Sequence, residues 1–268
     1  MQMRHFIGSL FLMLMFSFQG RAMRGSQGTG MPPPPSFRNL FNSEIYSPLN
    51  TAGSEFYLSE EEKLLVALCN LARYDGKAFI REVLIPSGID TSLPVIKSNM
   101  KQLAQTRNLP PLMPAYSLHK TAFRHARDMG IRGDSGHIDS EGNNFLQRIA
   151  PYFPGQTGFA ENYYLGSGDA SEILLAFFSI QREGHDYAGN ILLPSLQYIG
   201  VSIQPHRLSC SNTVLDFAAK PRQIPGISQT GKHRKKTEAY FMDCPKGRDY
   251  DQAKKNRFSL FGLFSRNP

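Results

Sequence analysis

An α+β domain, with helices layered on an antiparallel sheet, is the fold class this sequence predicts. Three observations predict it. Helical patterns flank strand patterns on both sides in sequence. The last part alternates in strand fashion, in "QYIGVSIQP", "TVLDFAAK" and "EAYFMDC". Hairpin-length links join these later strands, and no internal repeat is visible. A chain of 268 residues with 41% hydrophobic content can bury a real core.

The elements follow in order. Arg4 precedes an apolar run from Phe6 to Phe18, and Gly20-Arg21-Ala22 offers small residues at a cleavage position, so residues 1–22 read as an export signal. The run is shorter than the roughly 20 residues of a membrane span. A retained signal anchor is the competing reading. Residues 23–54, with "GSQGTGMPPPPS", read as a flexible-to-extended linker. Ordered structure is expected from Ser59, where "SEEE" forms a capping box with Glu62, and Leu64, Leu65, Leu68, Leu71 and Ala72 give the helix one apolar face. A second short helix carries Phe79, Ile80, Val83 and Leu84 and stops at Pro86. After "LPPLMPA", a strong helix begins near Ser117 with Leu118, Ala122, Ala126 and Met129 as its buried stripe. His119 and His125 lie beside that stripe and read as packed residues.

The loop "SGHIDSEGNNFLQR" follows, rich in turn-forming residues and holding His137. A short helix through Phe145 and Ile149 leads to the strand "FAENYYLG". Asp169 can cap the next helix, whose apolar side is Ile173, Leu174, Ala176, Phe177 and Phe178. Asn162 and Asn190 suit loop-holding bonds to the backbone, while Tyr163 and Tyr164 either line a cleft or pack.

Charge is unevenly placed. Residues 220–268 hold twelve Lys and Arg against four acids, which equals the whole net charge of +8. The body is slightly acidic, so nucleic acid is not an expected partner of the main domain. The run "GKHRKK" and the apolar-basic "KKNRFSLFGLFSR" make residues 231–268 a candidate attachment segment for an anionic surface. Of three cysteines, Cys69 reads as a buried free thiol. Cys210 and Cys244 flank strand-like runs and can pair in an oxidising compartment, although the odd count leaves that open.

Three polar residues at element ends could carry chemistry: His137, Glu161 and His185. Two imidazoles and a carboxylate can hold a divalent metal such as zinc, with His137 and His185 as ligands, or trade protons near neutral pH. Their spacing alone is weak evidence, and three unrelated polar residues is the bland alternative. No short metal-binding motif and no recognisable Ser or Cys nucleophile motif accompanies them.

The ordered set of motifs adds to this. "L-x3-A-x2-H-A-x-D-M" from Leu118 to Met129, then "GH", "EGNNFLQRI", "AEN", a Phe-bearing helix, "GH", "NIL" and "IGVSI" together resemble the CAP superfamily. This is the group of cysteine-rich secretory proteins, antigen 5 and pathogenesis-related proteins, here in an SCP-like bacterial style. The resemblance runs from about Leu64 to Phe217. It implies a three-layer α-β-α sandwich with a central, mainly antiparallel sheet over residues 55–219, ahead of an extra strand and basic tail in 220–268. It also implies a cleft lined by two histidines and two acids, with His137, Glu161 and His185 in three of those places. The departures fall on "FFSIQRE": tryptophan is absent, and the second acid's place falls on Ile180 or Gln181, with Glu183 the alternative. Two extra residues also lie between His185 and Asn190.

The functions implied are a secreted binding module for a lipid, peptide or cell-envelope ligand, a metal-dependent hydrolase using the same cleft, or a surface-attachment protein acting through the tail.

Overall fold

The computed structural model describes residues 37–154, 158–166, 169–180 and 186–219. The signal segment, the Pro-rich stretch, the "EAYFMDC" strand and the basic tail lie outside the described residues, as do Cys244, Glu183 and His185.

Order begins earlier than the composition suggests. A short helix α1 (Phe37–Leu40) and a 3-10 turn (Ser47–Leu49) precede α2 (Glu60–Tyr74). Residues 37–54 are therefore not linker as expected, because Phe41, Leu49 and Ala52 bury their side chains in the core. The backbone of this segment is also held, since Asn70 donates to the Leu49 carbonyl at 2.9 Å and Thr51 to that of Leu112 at 2.7 Å. The Gly/Pro-rich composition ends at Pro35, and apolar side chains take over.

Helix α2 starts in the expected capping box, with Ser59 accepting from the Glu62 amide and Glu62 accepting from that of Ser59. It is buried on all sides from Leu65 to Arg73, beyond the single apolar face that its periodicity indicates. Then come α3 (Gly76–Phe79), a π turn (Ile80–Leu84), α4 (Pro94–Gln105), β1 (Met113–Pro114), α5 (Tyr116–Arg132) and α6 (Phe145–Ile149). The remaining elements are β2 (Phe159–Gly166), α7 (Ala170–Ser179), α8 (Tyr187–Leu192), β3 (Tyr198–His206) and β4 (Cys210–Ala218). Asp169 caps α7 as expected, accepting from the Ser171 and Glu172 amides. Helices α4 and α8 and the short β1 were not legible in advance.

The sheet order is β1-β3-β4-β2. Strands β3, β4 and β2 are antiparallel neighbours, and β1 joins β3 in parallel, so the sheet is mixed. This is an α+β architecture with helices on both faces. Helix α5 lies on one face, so close that a Cβ on Gly200 of β3 would sit 2.1 Å from the Leu118 carbonyl carbon. On the other face, Asn162 of β2 donates to the Tyr187 carbonyl of α8, the Tyr164 ring meets Phe177 of α7, and Glu62 of α2 accepts from the Ile203 amide. Cys210, at the start of β4, is disulfide-bonded, while Cys69 is a free, fully buried thiol. Among the described residues no helix is long and apolar enough to cross a membrane.

Candidate functional site

Strand β2 is the last of the sheet, and alternation along it sends Glu161 toward the α5 side. The antiparallel register places Asp216 of β4 directly opposite. Both carboxyl groups are buried, with residue exposures of 6% and 1%. Thr121 of α5 reaches Asp216 Oδ2 at 2.5 Å. On the Glu161 side, the His137 ring donates from Nδ1 to Oε1 at 2.7 Å, and the Arg148 guanidinium donates to Oε2. His125 Nε2 lies 4.0 Å from Oε1.

Local sequence explains why His137 and Arg148 arrive there. Asp139 accepts from the amides of Glu141 and Asn143, and Asp128 of α5 accepts from that of Ser140, which folds the polar run into a tight loop. Gly136 and Gly142 adopt φ of 133° and 82°, a region that favours glycine. Asn144 opens α6 in a capping box with Gln147, and this short helix aims Arg148 inward. Arg148 also donates to the His137 carbonyl at 2.5 Å and the Asn143 carbonyl at 3.2 Å. His125 donates from Nε2 to the Gly136 carbonyl at 2.9 Å. The loop is thus tied to α5, to α6 and to Glu161. The His137 ring rests edge-on against Tyr163, 4.9 Å between centroids.

The electrostatics follow from burial. Loss of water pushes Glu161 up to about 7, against the downward pull of Arg148. Asp216 is pushed well above the usual carboxylate range by burial and then by Glu161 beside it. Two facing carboxyls with one nearby cation hold a proton between them at neutral pH, and Asp216 is its better home because Arg148 and His137 favour the charged form of Glu161. Burial and the Arg148 charge lower His125 to about 4, so its ring is neutral.

Of the residues singled out in sequence, the structure brings together His137 and Glu161. His185 and Glu183 lie outside the described residues, and so does Gln181. Asn190 donates to the Asn162 side chain at 2.9 Å, completing a bracket between α8 and β2. His125 is packed, as expected, but against the site. Asp216, Arg148 and Thr121 were missed. An acid inside the apolar strand "TVLDFAAK" was the available signal for Asp216, since a buried carboxylate needs a partner. Nothing local marks Arg148. Among the described residues no group of three His, Cys, Asp or Glu side chains is arranged to hold a metal.

No family model matches this chain, and no curated protein matches it. Two solved structures are similar to it. One is an outer surface protein from Borrelia burgdorferi, 18% identical, covering 48% of this chain and 87% of that one with a TM-score of 0.38. The other is an extracellular protein containing an SCP domain from Bacillus anthracis str. Ames, 20% identical, covering 46% of this chain and 38% of that one with a TM-score of 0.37. Overlaps of this extent leave function to be argued from the site.

Proposed function

We propose that the chain is an exported SCP/CAP-like binding module in which Glu161 is a buried anchor and His137 is the residue presented to a lipid, peptide or cell-envelope ligand. The engagement of both Glu161 oxygens carries this reading. Oε1 is taken by His137 and Oε2 by Arg148, and the side chain is 1% exposed. A carboxylate so held positions its partners, whereas a general base needs an oxygen free to reach substrate or water. The His137 side chain is 22% exposed, and Ile138, next in the chain, and Leu146 of α6, the helix that sends Arg148 to the His137 carbonyl, are 52% and 61% exposed. A polar ring on a surface that also exposes aliphatic groups suits an amphipathic ligand. The expected test is mass analysis of organic extracts from the purified mature protein. A defined ligand should co-purify with the wild type and be lost from Ile138→Ser/Leu146→Ser. Extracts that hold no ligand, or the same ligand in both proteins, would count against the module.

One observation favours the metal-dependent hydrolase as second reading. With Nδ1 donating to Glu161, the His137 lone pair belongs to Nε2, the carboxylate–histidine arrangement found behind metal ligands. On this reading His137 and His185 would be the zinc ligands, and the metal would supply Lewis acidity. Calorimetry with zinc on the wild type and on His137→Ala/His185→Ala separates the readings. Stoichiometric binding by the wild type alone favours the hydrolase.

A further inference from the structure

The solvent face of α5, away from the sheet, carries a continuous ridge of rings and cations. Tyr116, Lys120 and Arg124 form one row at four-residue spacing, and Phe123 and Arg127 lie beside it, with His119 at the inner edge, where its Nδ1 bonds the Val201 carbonyl of β3 at 2.7 Å. Cations in the first row are separated by about 6 Å along the axis, from a rise of about 1.5 Å per residue. Other elements extend the ridge. Tyr57 packs on Tyr116 at 5.1 Å and on His119 at 5.0 Å, and Phe56, 58% exposed, meets Tyr57 edge-on. Beyond α6, the Tyr152 ring lies beneath Lys120 at 5.8 Å and Arg124 at 5.7 Å. Lys120 also stands over Tyr116 at 5.9 Å.

Among the described residues, the cations on this face lack acid partners. Asp128 and Asp134 are taken by Arg132, and among the described residues no carboxylate lies within ion-pair reach of Lys120, Arg124 or Arg127. Glu55, at the margin, accepts the Tyr57 hydroxyl. On a body whose summed charge is slightly negative, three cations without an acid partner among the described residues, set among rings, form a localised positive field. Cations resting on ring faces are also held in place rather than freely solvated.

We propose that this ridge binds an acidic polysaccharide. Such a polymer alternates anionic groups with rings whose C–H faces are apolar, and the ridge alternates cations with aromatic rings. The aromatic rings are packed on one another, which suits shallow contact with sugars. Splayed nucleic-acid bases need open ring faces to stack on. None of these ridge residues bonds His137 or Glu161, and the proposal stands without the ligand reading given above.

The test uses the full chain, so that the basic tail is common to every protein compared. Binding is measured at about 0.15 M salt, where the screening length is about 8 Å. The probes are alginate, a non-sugar polyanion (polyphosphate) and single-stranded DNA. Lys120→Gln/Arg124→Gln/Arg127→Gln should weaken alginate binding about tenfold or more, as lost cation contacts sum. Phe56→Ala/Tyr116→Ala, at exposed positions, should weaken alginate by roughly threefold or more while leaving polyphosphate unchanged. Hydrogen exchange should show alginate protecting residues 55–58 and the exposed face of α5, with unliganded melting temperatures unchanged. Unaltered alginate affinity in the triple variant would overturn the proposal, since binding then belongs to another surface. So would equal losses for alginate and polyphosphate in the ring variant, which would mean charge alone. Ring-dependent binding of single-stranded DNA tighter than that of alginate would overturn it in favour of nucleic acid.

Discussion

Arg148 decides how the His137 site is held, because it is the cation nearest two buried carboxyls and it also fastens the loop carbonyls of His137 and Asn143. Arg148→Ala should cost about 3–5 kcal/mol near pH 8, the range for stranding one member of a buried pair. At pH 5 the loss should be smaller, since Glu161 then takes up a proton instead of standing charged and alone. Urea unfolding at both pH values checks this, and a loss independent of pH would contradict it. The wild type has its own pH signature. Glu161 at about 7 and Asp216 well above its ordinary value are both raised in the folded state, so the folded protein binds more protons than the unfolded one. Their contribution is complete below about pH 4 and is lost as pH rises through the folded values. His125, lowered to about 4, works oppositely: its contribution is present above about pH 6.5 and lost as pH falls toward 4. Between those limits the two trends offset each other, but above pH 6.5 the carboxyl pair acts without His125. Stability should therefore fall as pH rises from about 6.5 toward 8, below the range of the Cys69 thiol, by at most about 1.4 kcal/mol per unit for one proton. Asp216→Asn keeps the side-chain shape and removes one titrating member of the pair. With only Glu161 left to titrate, its urea midpoint should fall less steeply over the same range, and a parallel fall in both proteins would show that other groups govern the slope.

At the scale of elements, close approach of α5 to the sheet is what brings Thr121 and His125 to the carboxyl pair. Two glycines permit it. A Cβ on Gly200 would meet the Leu118 and His119 backbone at 2.1–2.4 Å, and one on Gly130 would meet the Pro205 carbonyl oxygen at 2.1 Å. Both obstacles are backbone, so neither can swing away. Gly200→Ala should destabilise by at least about 1–3 kcal/mol, the usual cost of overpacking. It should also loosen the Thr121–Asp216 contact, visible as faster amide exchange in α5. A variant as stable as the wild type would mean that the helix has slack. The same elements show what a sequence discloses. Ser59 with Glu62, and Asp169 with its following amides, announced α2 and α7 because a cap is a local interaction. Helix α4 was silent because only Ile96 and Leu103 are buried along it, a stripe too thin to register as periodic. The loop of His137 was legible through its turn residues. Its convergence on Asp216 was not, since it depends on the register between β2 and β4, which nothing short of the assembled sheet fixes.

For the molecule as a whole, α2 is the hub, and its polar residues do what the apolar pattern could not reveal. Leu64, Leu65, Leu68, Leu71 and Ala72 indicate one apolar face, yet Asn70 and Arg73 are also fully buried. Asn70 ties the Leu49 carbonyl to both the amide and the carbonyl of Leu112, joining the N-terminal segment to the approach to β1. Arg73 donates to the carbonyls of Pro110, Ile191, Leu193 and Leu196 at 2.7–3.1 Å, joining that approach to the turn between α8 and β3. These are irregular segments whose carbonyls have no ladder to enter, so one planar, multiply donating side chain satisfies them together. Burial lowers Arg73 to about 10, which leaves it charged at neutral pH, its charge dispersed over four carbonyl dipoles. Because α8 leads directly into β3, and Asn162 of β2 holds the start of α8, this clamp also fixes the frame on which Glu161 sits. Arg73→Met, similar in length but without donors, should cost on the order of 3–5 kcal/mol, a large share of the roughly 5–15 kcal/mol that holds a domain together. Arg73→Lys keeps the charge but cannot span the same carbonyls from one plane, and should recover little of the loss. Calorimetric melting of both variants, with amide exchange at residues 191–196 as the local readout, tests the clamp. A lysine variant within about 0.5 kcal/mol of the wild type would show that charge, and not the fan of donors, is what the core requires.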